Sequence, residues 1–375
     1  MAELLFGEGV MSKLGAEIAG YPDPVLVVSG ASSYEASGAG DQVGSALEGR
    51  RWQRVVVEHD RPGKESATAA FEAVTRIAPR TVIAVGGGAV IDTAKLLSLS
   101  VMNGGVEAVL NKKATELEAG LGIVAIPTTA GSGSERTPFA VAYVDSIKRS
   151  VEHESIRPLL AIVDPVLTHS LTRAVTISSG FDAFSHALES LWSVKSTPES
   201  VDLSRRALRL AWDTLTVVAD DPTPQSRRVM AEASTLAGAA IATARTTASH
   251  ALSYHLSVTF GVPHGLAVAL TLGPLLEFNA AVRHDSIAHP GGVEQVRRFV
   301  TEICEAMGVA VPEEARAALL GKMASLGAPT SLSDIGLTSA EQISSMIESV
   351  NEERLANNPR RISATDLQGI LEGIR

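Results

Sequence analysis

Residues 81–100 read "TVIAVGGGAVIDTAKLLSLS": a short β-branched run, three glycines, then a helical pattern. The run predicts a buried strand that ends at Gly86, Gly87 and Gly88 and turns at once into a helix. Without Cβ atoms the turn lets a pyrophosphate approach the backbone, and the helix N-terminus adds free N–H groups and a partial positive charge. A side chain at Gly87 would intrude on such a ligand. The pattern is not G-x-G-x-x-G, and a plain tight strand–helix turn would use the same glycines. Residues 126–135, "IPTTAGSGSE", strengthen the ligand reading: they follow another apolar strand and are crowded with small and hydroxyl residues. Two such loops at the carboxyl edge of a parallel sheet make a dinucleotide site.

Working outward, "PVLVVSG" (24–30), "RWQRVVVEH" (51–59) and "GIVAIPTT" (122–129) supply further near-continuous apolar strands. Separated by helical stretches, they predict a parallel sheet covered on both faces. After "LAIVDPVLTHSL" (160–171) the style changes to long helical patterns: 181–193, 200–219, 226–244 and 294–308. The C-terminal stretch reads as short helices with capping starts at Thr338 and Ser363. The expected architecture is an α/β dinucleotide-binding domain over 1–168 and an all-helical metal and substrate domain over 169–375, with the ligand cleft between them.

Composition narrows the function. The chain has 375 residues, 45% hydrophobic and 20% charged, which is long enough for two cores. A net charge of −10 without a basic block argues against nucleic acid. No apolar run reaches a membrane span, and "MAELLFGEGV" lacks the features of a signal peptide. The one cysteine, Cys304, excludes an internal disulfide framework and a multi-cysteine zinc site, and fits a reducing cytoplasm. Its surroundings do not suit a nucleophile, so it is expected to be structural.

The helical half carries the chemistry. In "SGFDAFSHALESLW" Asp182 and His186 are four residues apart, one turn apart on one helix face. Alone, such a pair is more often a surface or capping contact. Residues 243–265, "TARTTASHALSYHLSVTFGVPHG", hold three of the nine histidines: His250, His255 and His264. Asp182, His186, His250 and His264 make a carboxylate and three imidazoles, a set that suits Fe²⁺ or Zn²⁺ with positions left for a substrate oxygen. His59, His153, His169, His284 and His289 lack such company and read as structural or surface residues, with His255 arguable from its place in sequence.

Together "GGGAVIDTAK", "PTTAGSGSE", "AIVDP", "FDAFSHALES" and "ASHALSYHLSVTFGVPHGLAVAL" resemble the iron-containing (group III) alcohol dehydrogenase family, whose fold is shared with dehydroquinate synthase. The resemblance covers nearly the whole chain. It implies that Asp182, His186, His250 and His264 hold the metal, and that Gly86, Gly87 and Gly88 take the pyrophosphate, with Asp92 the motif's acid. It also implies that Thr128 and Thr129 form a second cofactor loop, that Lys148 reaches the cofactor ribose, and that the enzyme is a homodimer. Dehydroquinate synthase-like and maleylacetate reductase-like chemistries are the alternatives on this fold. The former needs active-site lysines that are not found here, and the latter does not rely on the metal set.

This chain departs from the family pattern twice. Many members have another histidine four residues after the first of the late pair; here that position is Tyr254. Many members that prefer NADH carry an acid after the first strand; here "VVSGASSYE" offers Gly30, Ser32 and Ser33, which permits NADPH. Within the family, "EHESIRPLLAIVDP", "LWSVKSTPES" and the 244–274 region most resemble the branch that reduces phosphonoacetaldehyde to 2-hydroxyethylphosphonate. Arg245, followed by Thr246, Thr247 and Ser249, is the candidate anchor for a phosphonate, with Arg149, Arg157 and Lys195 as further cations. Pairing of Arg245 with a helix carboxylate is the plainer alternative. The expected reaction is metal-assisted, NADPH- or NADH-linked reduction of a small aldehyde.

Overall fold

The computed structural model describes residues 2–58, 64–144, 147–350 and 352–375, and of residues 65, 66, 144, 147 and 148 the backbone only. His59 and the Lys148 side chain therefore lie outside the described residues. The chain forms two compact units: Met1–Thr172 with Thr223–Ala231, and Arg173–Pro222 with Glu232–Arg375. The division thus falls four residues beyond the boundary expected at 168/169, and a later segment returns to the first unit. Contacts within that unit explain the return. Arg227 donates to the Leu171 carbonyl at 3.3 Å, and the Arg228 guanidinium lies 5.4 Å over the Phe6 ring.

The first unit is built on β1 (Glu3–Phe6), β2 (Val25–Gly30), β3 (Trp52–Val57), β4 (Thr81–Gly86), β5 (Gly122–Pro127) and β8 (Leu160–Val163), in the order β1-β8-β5-β4-β2-β3. Every pairing in this sheet is parallel. Two cores explain the continuous apolar runs. Leu26, Val28, Val82, Ala84, Ile123 and Ala125 pack on one face, and Val25, Val27, Ile83, Val85, Val124 and Ile126 on the other. The register sets Ser29 opposite Val85 and Gly86 opposite Pro127, so the loops after β2, β4 and β5 share one edge. An antiparallel hairpin, β6 (Phe139–Val144) and β7 (Ile147–Glu152), completes the unit.

Among the described residues the second unit is helical, apart from one isolated bridge between Ile287 and Arg360. Its centre holds the helices Arg173–Trp192 and His264–Ala280, each buried along most of its length. A helix apolar on all sides belongs in a core, and among the described residues no helix is long and apolar enough to cross a membrane. Ser363 caps its helix as expected, accepting from the Asp366 N–H. The cap expected at Thr338 is Ser339 instead, because its hydroxyl reaches the Gln342 N–H while the Gln342 side chain accepts from both residues' N–H groups.

Candidate metal centre and cofactor loops

The 16-residue helix Gly88–Asn103 begins directly after β4, with Gly87 as an N-cap that offers no side-chain hydrogen bond. The Val90 and Ile91 N–H groups turn back to the Gly87 carbonyl at 3.0 and 3.1 Å, which leaves the N–H groups of Gly88 and Ala89 for an anion. The three glycines have a structural reason that the sequence did not reveal. A Cβ on Gly88 would lie 2.6 Å from Ser132 Oγ, one on Gly87 3.2 Å from Thr129 Cγ2, and one on Gly86 2.6 Å from a Val90 methyl. The turn is pressed against the second loop before any ligand is considered. Thr128 Oγ1 is buried there with no hydrogen-bond partner, and its backbone N–H donates to the Gly86 carbonyl at 3.1 Å. A glycine cradle at an uncapped helix start and an unpaired buried hydroxyl beside it fit a dinucleotide pyrophosphate.

Asp92, expected as the motif's acid, faces the protein. Its carboxylate accepts from Ser134 Oγ at 2.5 Å and from the Val141 N–H at 3.0 Å, so it fixes the second loop and the start of the hairpin. Lys95, one turn on and with no solvent exposure, donates to Ser134 O, Ser134 Oγ, Thr137 Oγ1 and Phe139 O at 2.7–2.9 Å. Burial pulls its ammonium down to about 8, although Asp92 and Glu135 pull it the other way. A lysine inside the apolar run "AKLLSLS" was the available sequence signal.

In the second unit the four candidate donors converge. Asp182 and His186 sit one turn apart on the Arg173–Trp192 helix, His250 near the start of the helix Ala248–Thr259, and His264 at the first position of His264–Ala280. The Nε2 atoms of His186, His250 and His264 lie 3.7, 3.5 and 3.8 Å from Asp182 Oδ1. Ligand atoms of Asp182, His186 and His250 fall within 4.8 Å of one another. Gly265 makes this approach possible, because a Cβ there would overlap the Ser178 carbonyl oxygen and lie 2.8 Å from the Asp182 nitrogen. Asp182 Oδ1 and His250 Nε2 are buried without a hydrogen-bond partner, an arrangement that a cation between them satisfies. The residues fit a divalent metal of the iron or zinc type.

Charge organises the centre. Burial raises the Asp182 carboxyl, but the imidazoles of His186, His250 and His264 outweigh it and hold the group well below the usual carboxylate range. Burial lowers the His250 imidazole, while Glu189 and Asp182 on either side push it up to about 9. A divalent metal held at Nε2 of His250 would take the place of that proton. Glu189 is the functional residue that sequence reasoning missed. It has no solvent exposure and takes Nδ1 of His250 on Oε2; its Oε1 accepts from the Thr247 hydroxyl at 2.6 Å and the Ser249 N–H at 2.9 Å. It leaves Nε2 of His250 facing Asp182 and thereby fixes the ring's direction. A carboxylate within the buried run Phe181–Trp192 was its signal.

Of the two residues near the late histidines, Tyr254 stacks beside His264 at 6.4 Å, whereas His255 turns its Nδ1 to Ser349 Oγ at 3.0 Å. Three donor side chains are at most 10% exposed but His264 is 35% exposed, so the open side of the centre is the one His264 and Tyr254 line. Arg245 ends the helix Pro224–Ala244 in the left-handed region at φ 67°, its N–H donating to Ile241 O at 3.0 Å. The Asn357 side chain holds Thr246 through its carbonyl, and Ser193 Oγ donates to Ala244 O, so the 193–197 loop with exposed Lys195 lies beside this turn. Arg149 is exposed on β7 of the first unit, and Arg157 is engaged by Glu154 and the Arg136 carbonyl. Ser32 is exposed, Ser33 half-buried and Gly30 buried at the end of β2.

Comparison with known proteins accounts for both units. Residues 2–165 match the family description "iron-containing alcohol dehydrogenase", and 176–374 match its C-terminal counterpart. A phosphonoacetaldehyde reductase of Streptomyces viridochromogenes is 32% identical over 351 residues, 88% of each chain. A long-chain-alcohol dehydrogenase of Geobacillus thermodenitrificans is 34% identical over 78% of this chain and 74% of its own. The NAD⁺ complex of a sulfoacetaldehyde reductase from Bifidobacterium kashiwanohense superposes with a TM-score of 0.86 at 27% identity, covering 100% and 96% of the two chains. The chain belongs to the iron-containing alcohol dehydrogenase family and is a metal- and NAD(P)-dependent oxidoreductase of alcohols and aldehydes.

Proposed function

We propose that this enzyme reduces a small aldehyde bearing a phosphonate, phosphonoacetaldehyde to 2-hydroxyethylphosphonate, with NADPH preferred. Asp182, His186, His250 and His264 hold the iron, and the Gly86–Gly88 turn with Thr128 and Thr129 takes the cofactor. When bound, the metal supplies a Lewis acid for a carbonyl oxygen and the nicotinamide supplies hydride. The chain's own contribution is placement. Glu189 orients His250, Gly265 brings His264 to Asp182, and burial of three donors leaves one open side for the aldehyde.

The single observation that carries the substrate reading is Arg245. A residue with a Cβ in the left-handed region costs free energy that glycine would avoid, and such strain persists where the surroundings impose it. Arg245 stands two residues before Thr247, which is bonded to Glu189 and so to His250. A planar guanidinium on that turn suits a tetrahedral oxyanion whose aldehyde end lies at the metal. The named relatives support this, since phosphonoacetaldehyde and sulfoacetaldehyde both join an aldehyde to such an anion.

The test is kcat/KM of the iron-loaded enzyme on phosphonoacetaldehyde, sulfoacetaldehyde and propanal, for wild type, Arg245→Gly and Arg245→Lys. Glycine relieves the backbone while removing the cation, so folding is preserved. A charge-assisted bond of roughly 1.5–3 kcal/mol predicts a loss of about tenfold to a hundredfold on the phosphonate, with propanal little changed. Equal losses on both aldehydes would make Arg245 a support for the metal loop. A wild type without preference for the phosphonate overturns the substrate and leaves the dehydrogenase standing.

A further inference from the structure

We propose that Arg54, with Glu35 as its displaceable partner, selects the 2′-phosphorylated dinucleotide at the end of β2; this rests on the cofactor reading of the Gly86–Gly88 turn. Gly30 closes β2 beside that turn, since Ser29 lies opposite Val85 and a Cβ on Gly30 would sit 3.7 Å from a Val90 methyl in the first turn of the Gly88–Asn103 helix. A dinucleotide whose pyrophosphate rests on that helix start puts its adenosine ribose one strand over, at the end of β2. Ser32 and Ser33 provide hydroxyls there but no charge.

The charge comes from β3, the neighbouring edge strand. Arg54 reaches over from it and donates through Nε to Ser29 Oγ at 2.7 Å and through Nη2 to Gly30 O at 3.3 Å. The guanidinium lies 3.9 Å over the buried Tyr34 ring, and its Nη1 meets Glu35 Oε1 at 2.9 Å. The fork is thus fixed on its inner side by backbone, hydroxyl and ring. Among the described residues its outer side is held only by the Glu35 carboxylate, which is 66% exposed. An ion pair of that kind contributes little, because water competes for both partners. A 2′-phosphate, with more charge and three oxygens, can take the place of Glu35 on the same fork. Glu35 is also an acid in the segment just after β2, where an NADH-selecting carboxylate would act. Its pairing with Arg54 keeps it from that role, and in the presence of a 2′-phosphate it repels.

The two residues therefore predict effects of opposite sign. Binding is measured by calorimetry on the metal-loaded enzyme without aldehyde, using NADPH, NADH, adenosine 2′,5′-bisphosphate and 5′-AMP. Wild type should favour the two 2′-phosphorylated ligands. Arg54→Gln should weaken these by about tenfold to a hundredfold, and shift NADH and 5′-AMP by less than about twofold. Arg54→Lys should fall between, since it keeps a charge and loses the fork. Glu35→Gln should tighten the phosphorylated pair about two- to fivefold, the size of an exposed charge repulsion removed.

Equal weakening of all four ligands in Arg54→Gln would mean that Arg54 only clamps β2 to β3, and would overturn the proposal. So would a wild type that favours NADH. If Arg54→Gln fails to fold, Glu35→Gln and Arg54→Lys decide, and a Glu35→Gln enzyme with unchanged preference overturns it. Because no aldehyde enters the measurement, these outcomes are independent of the phosphonate reading. Failure of wild type to bind any of the four would instead remove the cofactor reading on which the proposal rests.

Discussion

Each unit keeps one charged side chain wholly out of water, three residues after a motif residue: Lys95 after Asp92, and Glu189 after His186. Each bonds to a loop distant in sequence, Lys95 to Ser134–Phe139 and Glu189 to Thr247–His250. The difference lies in what they face. Lys95 bonds to neutral oxygens, with the Asp92 carboxylate 4.0 Å away. Glu189 meets the imidazole of His250. Burial pushes Glu189 up, yet His250 outweighs it and keeps the carboxylate below its ordinary range, whereas burial dominates at Lys95. A buried charge opposite another charge stays ionised, and one opposite dipoles becomes titratable. The helical unit has thus built a donor set suited to a cation, and the α/β unit a backbone cradle that carries its own.

The strongest way to break this contrast is to remove a proposed metal donor. His264→Ala should lose the metal and reduce turnover by about a thousandfold or more, because the Lewis-acid contribution is several kcal/mol. NADPH binding should change by less than about twofold, since the cradle is complete within its own unit. Metal content by mass spectrometry and dinucleotide titration on the same preparation give both answers. A variant with full occupancy and near-normal rate would take His264 out of the set.

Glu189→Gln sharpens the comparison at a smaller scale. The amide keeps the volume and can still accept from Ser249 and Thr247, but it no longer offers a charge to His250. Metal affinity should fall about tenfold to a hundredfold, as when a partner that orients a ligand histidine is lost. Competition against a chelator of known affinity measures it. An unchanged affinity would show that Glu189 fills space and ties the loop without tuning the imidazole.

The same contrast explains what the sequence made legible. Asp182, His186, His250 and His264 could be named because side chains carry their chemistry and the i, i+4 spacing places two of them. The Gly86–Gly88 turn was legible as a turn, but its contacts with Thr129 and Ser132 depend on a loop some forty residues away, which no local pattern encodes. Asp92 illustrates the limit: its motif position suggested a ligand contact, and the fold spends both oxygens on Ser134 and Val141. The strands β2, β3, β4 and β5 were readable from their apolar runs, while β1 and β8, four residues each, are too short for a period to show. Arg54 was missed because its significance lies in an adjacent strand, and pairing of β2 with β3 is a tertiary fact.

The smallest expected effect tests the other side of the comparison, the titratable lysine. Below about pH 8 the folded and unfolded chains both carry the Lys95 proton, so the group adds no slope to stability. Between about 8 and the ordinary 10.5 the unfolded chain keeps a proton that the folded chain has released. Unfolding then takes up a proton, and the free energy of unfolding rises with pH through that window, by up to on the order of 3 kcal/mol. Lys95→Met lacks the proton and should lack the rise. It also removes the four Lys95 bonds to Ser134, Thr137 and Phe139, so the loop carrying Thr128 and Thr129 should relax. The KM for NADPH should then increase about tenfold with kcat within about twofold, the signature of lost cofactor positioning rather than lost chemistry. Urea denaturation of both proteins at pH 7, 8, 9 and 10 reads the first effect through the difference between them, which cancels the other titrating groups. A constant difference across that series would show that Lys95 stays charged in the fold. Lys95 and Glu189 would then be the same device with opposite sign, and the contrast between the two units would reduce to what each loop holds.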